Sequence, residues 1–166
     1  SAYSYYMANK YDDAILAAER FTSLHPGHRD AAYAFYLIAI CHYEQIVDVR
    51  RDQKETELAL TALQTVIDRY PGSDYARDAQ VKLDLTRDHI AGGEMAVGRY
   101  YQQQGYYFAA IGRYRDVVDN YQTTSQTAEA LHRLVECYLA LGLKGEAQKA
   151  AGVLGYNYPD SDWYRD

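Results

Sequence analysis

The sequence repeats itself, and this internal repeat restricts the possible folds more than any other feature. Three segments end alike, in Leu-His-Pro-Gly at 24–27, Arg-Tyr-Pro-Gly at 69–72 and Asn-Tyr-Pro-Asp at 157–160. A fourth segment, Asn-Tyr-Gln-Thr at 120–123, has the same place in its unit but no proline. Eleven residues before the second position of each motif lies an alanine, followed seven residues later by a larger apolar residue. The four alanines are Ala14, Ala59, Ala110 and Ala147.

A second helical segment precedes each of these alanines. A tyrosine lies nine residues before three of them, at Tyr5, Tyr101 and Tyr138, whereas Tyr43 precedes Ala59 by 16 residues. The seven extra residues fall on the polar segment 47–54, which is suited to a longer surface loop. Paired helices closed by a turn that contains proline are typical of tetratricopeptide repeats, whose neighbouring pairs stack to bury their apolar faces. The sequence therefore predicts an all-α superhelix of helical hairpins.

The third unit is longer than a regular repeat. Pro71 and Tyr101 are 30 residues apart, where a regular array needs roughly 13. The extra residues keep helical apolar spacing, so we expect one overlong helix over 74–104, kinked at Gly92-Gly93. Its first part should project from the stack and be less buried than the end near Gly98. The full set of predicted helices is 2–8, 11–24, 29–47, 54–69, 74–104, 107–120, 126–141 and 144–156.

These helices predict two halves of two repeats each. The first half is 1–73, with a truncated first repeat, and the second is 74–166, which contains the extended helix 74–104. Because the chain begins inside a helical pattern and shows no signal peptide, we expect it to be part of a longer protein. No apolar run approaches the roughly 20 residues that a membrane-spanning helix requires.

Composition and motifs argue against nucleic-acid binding and catalysis. The formal net charge is −6 and no cluster of Lys and Arg is present, so a phosphate backbone is a poor partner. His25 and His28 share a turn, but no further ligand nearby completes a metal site. Cys41 and Cys137 fall in corresponding helices of different repeats, and we expect both to be small buried residues. The sequence thus predicts a protein without catalytic residues, metal or cofactor.

Tyrosine is the unusual residue of this composition, with 19 tyrosines against 3 phenylalanines. The first helix of each pair lines the inner groove of such superhelices, and the groove positions here lack the Lys, Asn and Arg set with which co-chaperones grip a carboxylate. The first half instead offers a wall of tyrosines, which comprises Tyr3, Tyr5, Tyr6, Tyr33, Tyr36 and Tyr43. Tyr3, Tyr6 and Tyr36 are our candidates for a peptide-binding groove, since tyrosine stacks well on partner side chains. For Tyr5 and Tyr43 we expect core positions.

Arg113 breaks the internal pattern. Three residues after the packing alanines the other units have Ala17, Ala62 and Ala150, whereas the third unit has Arg113. Burying an unpaired guanidinium in a helix crossing costs several kcal/mol, so the side chain must reach solvent or a partner. Two interpretations remain open: a surface arginine whose guanidinium lies in water, or a residue that binds another protein.

With the repeats placed, the chain resembles the BamD family of outer-membrane assembly lipoproteins. The likeness covers essentially the whole chain, including the seven-residue insertion and the overlong third unit, which are more specific than the repeat motif. The segments that carry it are 14–26 (AILAAERFTSLHP), Arg51-Asp52, 70–73 with Tyr75 and Asp78-Ala79, Arg87-Asp88, Tyr100-Tyr101 and 142–158. Family members have five repeats and a lipidated N-terminal cysteine, so the resemblance implies that about one repeat and the anchor lie outside this sequence.

The resemblance implies a periplasmic protein, lipid-anchored to the outer membrane, that helps to insert β-barrel proteins. Its partners would be BamA, other lipoproteins of the BAM complex and unfolded barrel proteins. In this family the N-terminal half is implicated in substrate recognition and the C-terminal repeats dock on the last POTRA domain of BamA. Arg113 matches the family's arginine that pairs with a carboxylate of that domain. The alternatives are a tetratricopeptide adaptor of the CpoB/YbgF type in the cell envelope and a co-chaperone.

Overall fold

The computed structural model describes residues 1–48 and 53–165, and within these ranges the regular structure is helical throughout. The predicted all-α fold of tetratricopeptide-type helical hairpins is confirmed. Each predicted helix is present with its ends shifted by at most a few residues, and a short helix at 162–165 is additional. In chain order the helices are α1 (Ala2–Met7), α2 (Tyr11–Leu24), α3 (Ala31–Asp48), α4 (Gln53–Arg69), α5 (Asp74–Gln103), α6 (Tyr107–Asn120), α7 (Thr127–Ala140), α8 (Lys144–Asn157) and α9 (Asp162–Arg165).

The segment 47–54, predicted as a surface loop, is partly helical. Helix α3 continues to Asp48 and helix α4 begins at Gln53. The rest of the predicted loop, 49–52, lies outside the described residues.

The turn inside three of the helix pairs has one geometry, which explains the constant spacing from tyrosine to alanine. Asn9, Gly105 and Gly142 occupy this turn with φ angles of 59°, 81° and 76°. This left-handed conformation favours glycine and tolerates asparagine. The residue after each donates its backbone N–H to the carbonyl of Tyr5, Tyr101 or Tyr138, at 2.8, 2.9 and 2.8 Å. The helix end and the next helix start are therefore fixed in the same way in all three pairs.

The chain divides into two compact units, Ser1–Thr86 (unit 1) and Arg87–Asp166 (unit 2). In unit 1 the packing alanines Ala14 and Ala59 are fully buried, at the α2–α3 contact and on α4. A second core cluster of this unit joins side chains of α3 and α4 to Ala79 and Leu83 of α5. Unit 2 has one continuous core, in which Ala110 and Ala147 are buried among side chains of α5, α6, α7 and α8. The role predicted for the four alanines is confirmed.

Helix α5 is continuous over 30 residues, through Gly92-Gly93, as the overlong helix was predicted to be. The expectation that its first part projects from the stack is wrong. Ala76 and Leu83 are buried, as are Ala91 and Met95 further along. The reason is that the first turns of α5 complete the core of unit 1 against α3 and α4. The boundary between these compact units lies inside α5, after Thr86. The predicted halves, 1–73 and 74–166, divide the chain by repeats and stay a prediction.

The α6–α7 turn, which lacks proline, is held by side chains. The buried Thr127 places its hydroxyl 3.0 Å from the carbonyl of Tyr121 and 3.1 Å from that of Gln122. From α5, Asp88 Oδ1 accepts hydrogen bonds from the backbone N–H and the hydroxyl of Ser125, at 2.9 and 2.6 Å. The preceding residue, Arg87, donates to the carbonyl of Asn120 at 2.7 Å. The Arg87-Asp88 pair thus fastens this turn to α5.

Removing the Thr127 hydroxyl should destabilise the fold. We expect Thr127→Val to lower the free energy of unfolding by about 1–2 kcal/mol, because the carbonyls of this turn lose a buried donor while side-chain volume hardly changes. Urea denaturation followed by circular dichroism measures the change. Thr123→Val, at an exposed position of the same turn, is the matched control and should change stability by less than about 0.5 kcal/mol. Equal effects of the two substitutions would mean that Thr127 does not fasten the turn.

Candidate functional site

Unit 1 carries a cleft of about 400 Å³ between α1, α2 and α3, which we call the tyrosine cleft. Tyr3 of α1 and Tyr33 of α3 line it, above a floor of apolar side chains that includes Phe21 and Leu37. Tyr3 is 52% exposed, so its ring is available to a ligand. Asp30 also lines the cleft. This arrangement suits a ligand that buries apolar or aromatic side chains.

The other two groove candidates lie beside the tyrosine cleft. Tyr6 is half-buried, packs on the α2–α3 core and has its ring centroid 6.2 Å from that of Tyr11. Tyr36 packs on the core formed with α5, with its ring centroid 5.2 Å from that of Tyr75. The structure therefore brings Tyr3 together with Tyr33, which the sequence placed in the tyrosine wall without singling it out. The signal was its spacing of four residues from the apolar Leu37, which puts both on one face of α3.

The hydroxyl of Tyr36 is engaged within the chain. It donates a hydrogen bond to the carboxylate of Asp78 on α5, which also accepts one from Lys82 Nζ at 2.8 Å. Burial acts to raise the pKa of Asp78, but the hydrogen bonds from Lys82 and Tyr36 outweigh it and lower that pKa overall. Burial and the bond to Asp78 both raise the pKa of Tyr36. Tyr36 thus links α3 to α5 within unit 1.

Of the two further tyrosines expected in the core, one packs there and the other does not. Tyr43 is half-buried and packs on the core that α3 and α4 form with α5. Tyr5 is 41% exposed, so its assignment to the core is wrong. The constant spacing of Tyr5 from Ala14 follows from the turn geometry described above, because the Tyr5 carbonyl accepts the hydrogen bond of the turn whereas its ring is not involved.

Arg113 of α6 forms an ion pair with Glu94 of α5. Its Nη1 lies 3.2 Å from each carboxylate oxygen of Glu94. The Arg113 side chain is 43% exposed and that of Glu94 is 19% exposed. The hydrogen bond from Arg113 to Glu94 and the charge of that carboxylate raise the pKa of the guanidinium. The guanidinium therefore reaches solvent and is at the same time held in place by a carboxylate of its own chain.

The remaining features to consider are possible metal ligands, membrane-spanning helices and the two cysteines. Within the described ranges, no group of three or more His, Cys, Asp and Glu side chains is arranged to hold a metal ion. In the same part of the chain, no helix is long and apolar enough to cross a membrane. Cys41 and Cys137 are free and fully buried, as expected, and burial raises the pKa of each thiol to about 11.

Comparison with known proteins assigns the chain to a family. The sequence model of the YfiO outer membrane lipoproteins matches residues 1–153. The chain belongs to this family. It is 55% identical, over its full length, to the outer membrane protein assembly factor BamD of Caulobacter vibrioides, and covers 54% of that protein. It is 48% identical over 98% of its length to BamD of Rickettsia prowazekii, and covers 65% of that protein.

A more distant BamD, from Neisseria meningitidis, is 34% identical over 97% of the chain, which covers 64% of it. The resemblance to the BamD family is confirmed, in preference to the CpoB/YbgF type or a co-chaperone. The chain spans about half to two thirds of the length of these BamD relatives.

Proposed function

We propose that this BamD-family chain is an interaction scaffold, without catalytic activity, in the machinery that assembles β-barrel proteins at the periplasmic face of the outer membrane. The observation that carries this proposal is the 55% identity, along the whole chain, to a protein named as an outer membrane protein assembly factor. The fold also supports it. Proteins built from stacked helix pairs bury small residues such as alanine between the helices and bind partners along the extended surface that remains exposed.

A chimera tests this role. The matching segment of Caulobacter vibrioides BamD is replaced by the present chain, and the amount of folded barrel protein in the outer membrane is measured. We expect assembly to continue when the native protein is depleted. Normal accumulation of the chimera without barrel assembly would contradict the proposal.

Unit 2 is the docking half in this proposal. Arg113 would pair with a carboxylate on the last POTRA domain of BamA, and the other lipoproteins of the complex would bind nearby. Glu94 supports this role because it holds the guanidinium in one position while leaving it 43% exposed. A side chain ordered before binding loses less conformational entropy when the partner arrives.

Unit 1 is the substrate-binding half. The tyrosine cleft would take aromatic side chains of an unfolded barrel segment, since its size falls within the range of ligand pockets, about 300–1,000 Å³. Tyr3 and Tyr33 line the cleft and would stack on those rings. Tyr6 and Tyr36 would support the helices that form the cleft, since both pack on the core beside it.

Substitution of Tyr3 should weaken substrate binding modestly. Each aromatic pair contributes about 0.5–1.5 kcal/mol beyond area burial, so Tyr3→Ala should weaken binding of a barrel C-terminal peptide several-fold. Fluorescence anisotropy measures this, and a photo-crosslinker at position 3 should label the peptide. Tyr156→Ala in unit 2, where the side chain is 87% exposed, is the control and should leave affinity unchanged. Labelling confined to positions in unit 2 would count against the tyrosine cleft.

A further inference from the structure

Unit 2 contains a second cleft, which the proposed function does not use. It has a volume of about 370 Å³ and lies between the last turns of α5, the start of α6 and α7; we call it the arginine cleft. In contrast to the tyrosine cleft, its walls are largely polar. The side chains that matter for its chemistry are Arg99, Gln102, Gln103, Tyr107, Arg133 and Glu136.

Ion pairs hold the arginine side chains along one wall of the arginine cleft in place. Arg99 Nη1 donates to Glu129 Oε2 at 2.8 Å, and Arg133 Nε lies 3.5 Å from the same oxygen. Arg133 Nη1 also lies 3.2 Å from Glu136 Oε1. The guanidinium of Arg133 stacks over the ring of Trp163, 5.3 Å from its centroid. Both arginines are therefore held in defined orientations and lose little freedom on binding a ligand.

The arginine cleft has more hydrogen-bond donors than acceptors. A guanidinium has five N–H donors, and among the described residues Arg99 uses only Nη1 on a protein acceptor. Tyr114 donates its hydroxyl to Gln102 Oε1 at 2.7 Å, which leaves the amide NH₂ group of Gln102 for a ligand. Gln103, exposed at the end of α5, adds a second amide. A complementary ligand is rich in acceptors, as extended peptide backbones and carboxylates are.

We propose that the arginine cleft binds an extended peptide segment through a carboxylate, with Arg99 and Arg133 on the carboxylate and the two glutamine amides on backbone carbonyls. The carboxylate comes either from an Asp or Glu side chain or from the end of a chain. Planar guanidinium groups suit this role because they bind carboxylates through paired hydrogen bonds.

Glu136 makes the proposal sharply testable. Its side chain is 40% exposed and lines the cleft, and its carboxylate pairs with Arg133, so it occupies donors that an incoming carboxylate needs. It also lies 3.5 Å from His132 Nε2. Removing its charge frees a donor of Arg133 and leaves the wall positive. Loss of this charge should therefore strengthen binding of a carboxylate, which a purely structural role of Glu136 does not predict.

The experiment uses three fluorescein-labelled peptides of alternating Thr and Tyr, measured by fluorescence anisotropy with the full chain. One has a central Glu and an amidated end, one a central Gln and an amidated end, and one a central Gln and a free carboxyl end. We expect a carboxylate to improve affinity about tenfold over the neutral peptide, the effect of a charge-assisted hydrogen bond. Comparing the affinities of the two carboxylate peptides shows whether the cleft prefers the carboxylate of a side chain or that of a chain terminus.

Substitutions then locate the effect. Glu136→Gln should tighten binding of the preferred carboxylate peptide several-fold and leave the neutral peptide unchanged. Arg99→Gln should remove the preference for the carboxylate. Arg115→Gln, on the exposed face of α6, makes the same charge change outside the cleft and should preserve that preference. Equal affinities of the three peptides for the parent protein would overturn the proposal, as would equal losses from Arg99→Gln and Arg115→Gln.

Discussion

Replacing Gly98 by alanine should lower the free energy of unfolding by up to about 2 kcal/mol, because forcing an extra methyl group into a packed core costs about 1–3 kcal/mol and the better helix propensity of alanine offsets part of it. A Cβ atom at Gly98 would lie 2.6 Å from Cε1 and 2.9 Å from Cδ1 of Tyr114. Tyr114 is completely buried and its hydroxyl is bound to Gln102, so the ring cannot move aside without breaking core contacts. The cost should outweigh the gain in helix propensity from Gly to Ala, about 1 kcal/mol.

The same helix supplies the control for this prediction. A Cβ atom at Gly93 meets nothing within 4 Å, so Gly93→Ala should stabilise the protein by up to about 1 kcal/mol. Urea unfolding of the full chain, followed by circular dichroism, compares the two substitutions. In a Tyr114→Leu background, which vacates part of the ring's volume, Gly98→Ala should cost much less than in the parent. Destabilisation of equal size by Gly93→Ala and Gly98→Ala would contradict the packing explanation.

The helices could be predicted from the sequence because their signals are local. Apolar spacing and the repeated position of alanine identified the paired helices, and the same spacing within α5 indicated one continuous helix. The burial of its first turns was misjudged because a count of residues per repeat shows only that the helix is overlong. Whether the added turns project or pack depends on side chains of α3 and α4, which are distant in sequence.

The candidate sites were predictable only in part, for a related reason. Tyr3 could be chosen because it lies on the first helix of a pair, which lines the groove of such repeats. The rotation of α3, however, decides that Tyr33 lines the cleft and that Tyr36 bonds to Asp78. The pairing of Arg99 with Glu129 joins residues on different helices, so no local pattern reveals it. Comparison of the repeats identified Arg113 as unusual, yet its partner Glu94 lies on another helix and became evident only from the structure.

Arg113 carries the largest predicted effect on partner binding. Arg113→Glu should abolish docking on the last POTRA domain of BamA, because truncating one partner of a desolvated charge pair costs about 2–5 kcal/mol of affinity. The structure adds a complication, since this change also places a second carboxylate beside Glu94, which is 19% exposed. Glu94→Gln should therefore be introduced in the same chain, to relieve the repulsion and keep the loss of docking separate from any loss of stability.

Three further substitutions in this chain and one charge reversal on BamA establish whether Arg113 itself makes the contact. Glu94→Gln alone removes the internal charge partner and leaves the guanidinium, so it should weaken docking only slightly, by the loss of preorganisation, and far less than Arg113→Glu does. Arg113→Lys keeps the charge but loses the planar fork, and we expect affinity between those of the parent and Arg113→Glu. Arg115→Glu makes the same charge change at an exposed position of α6 and should have little effect. A charge reversal on the BamA domain should partly restore binding of Arg113→Glu, whereas parent-like affinity of Arg113→Glu in calorimetry would show that docking uses another surface.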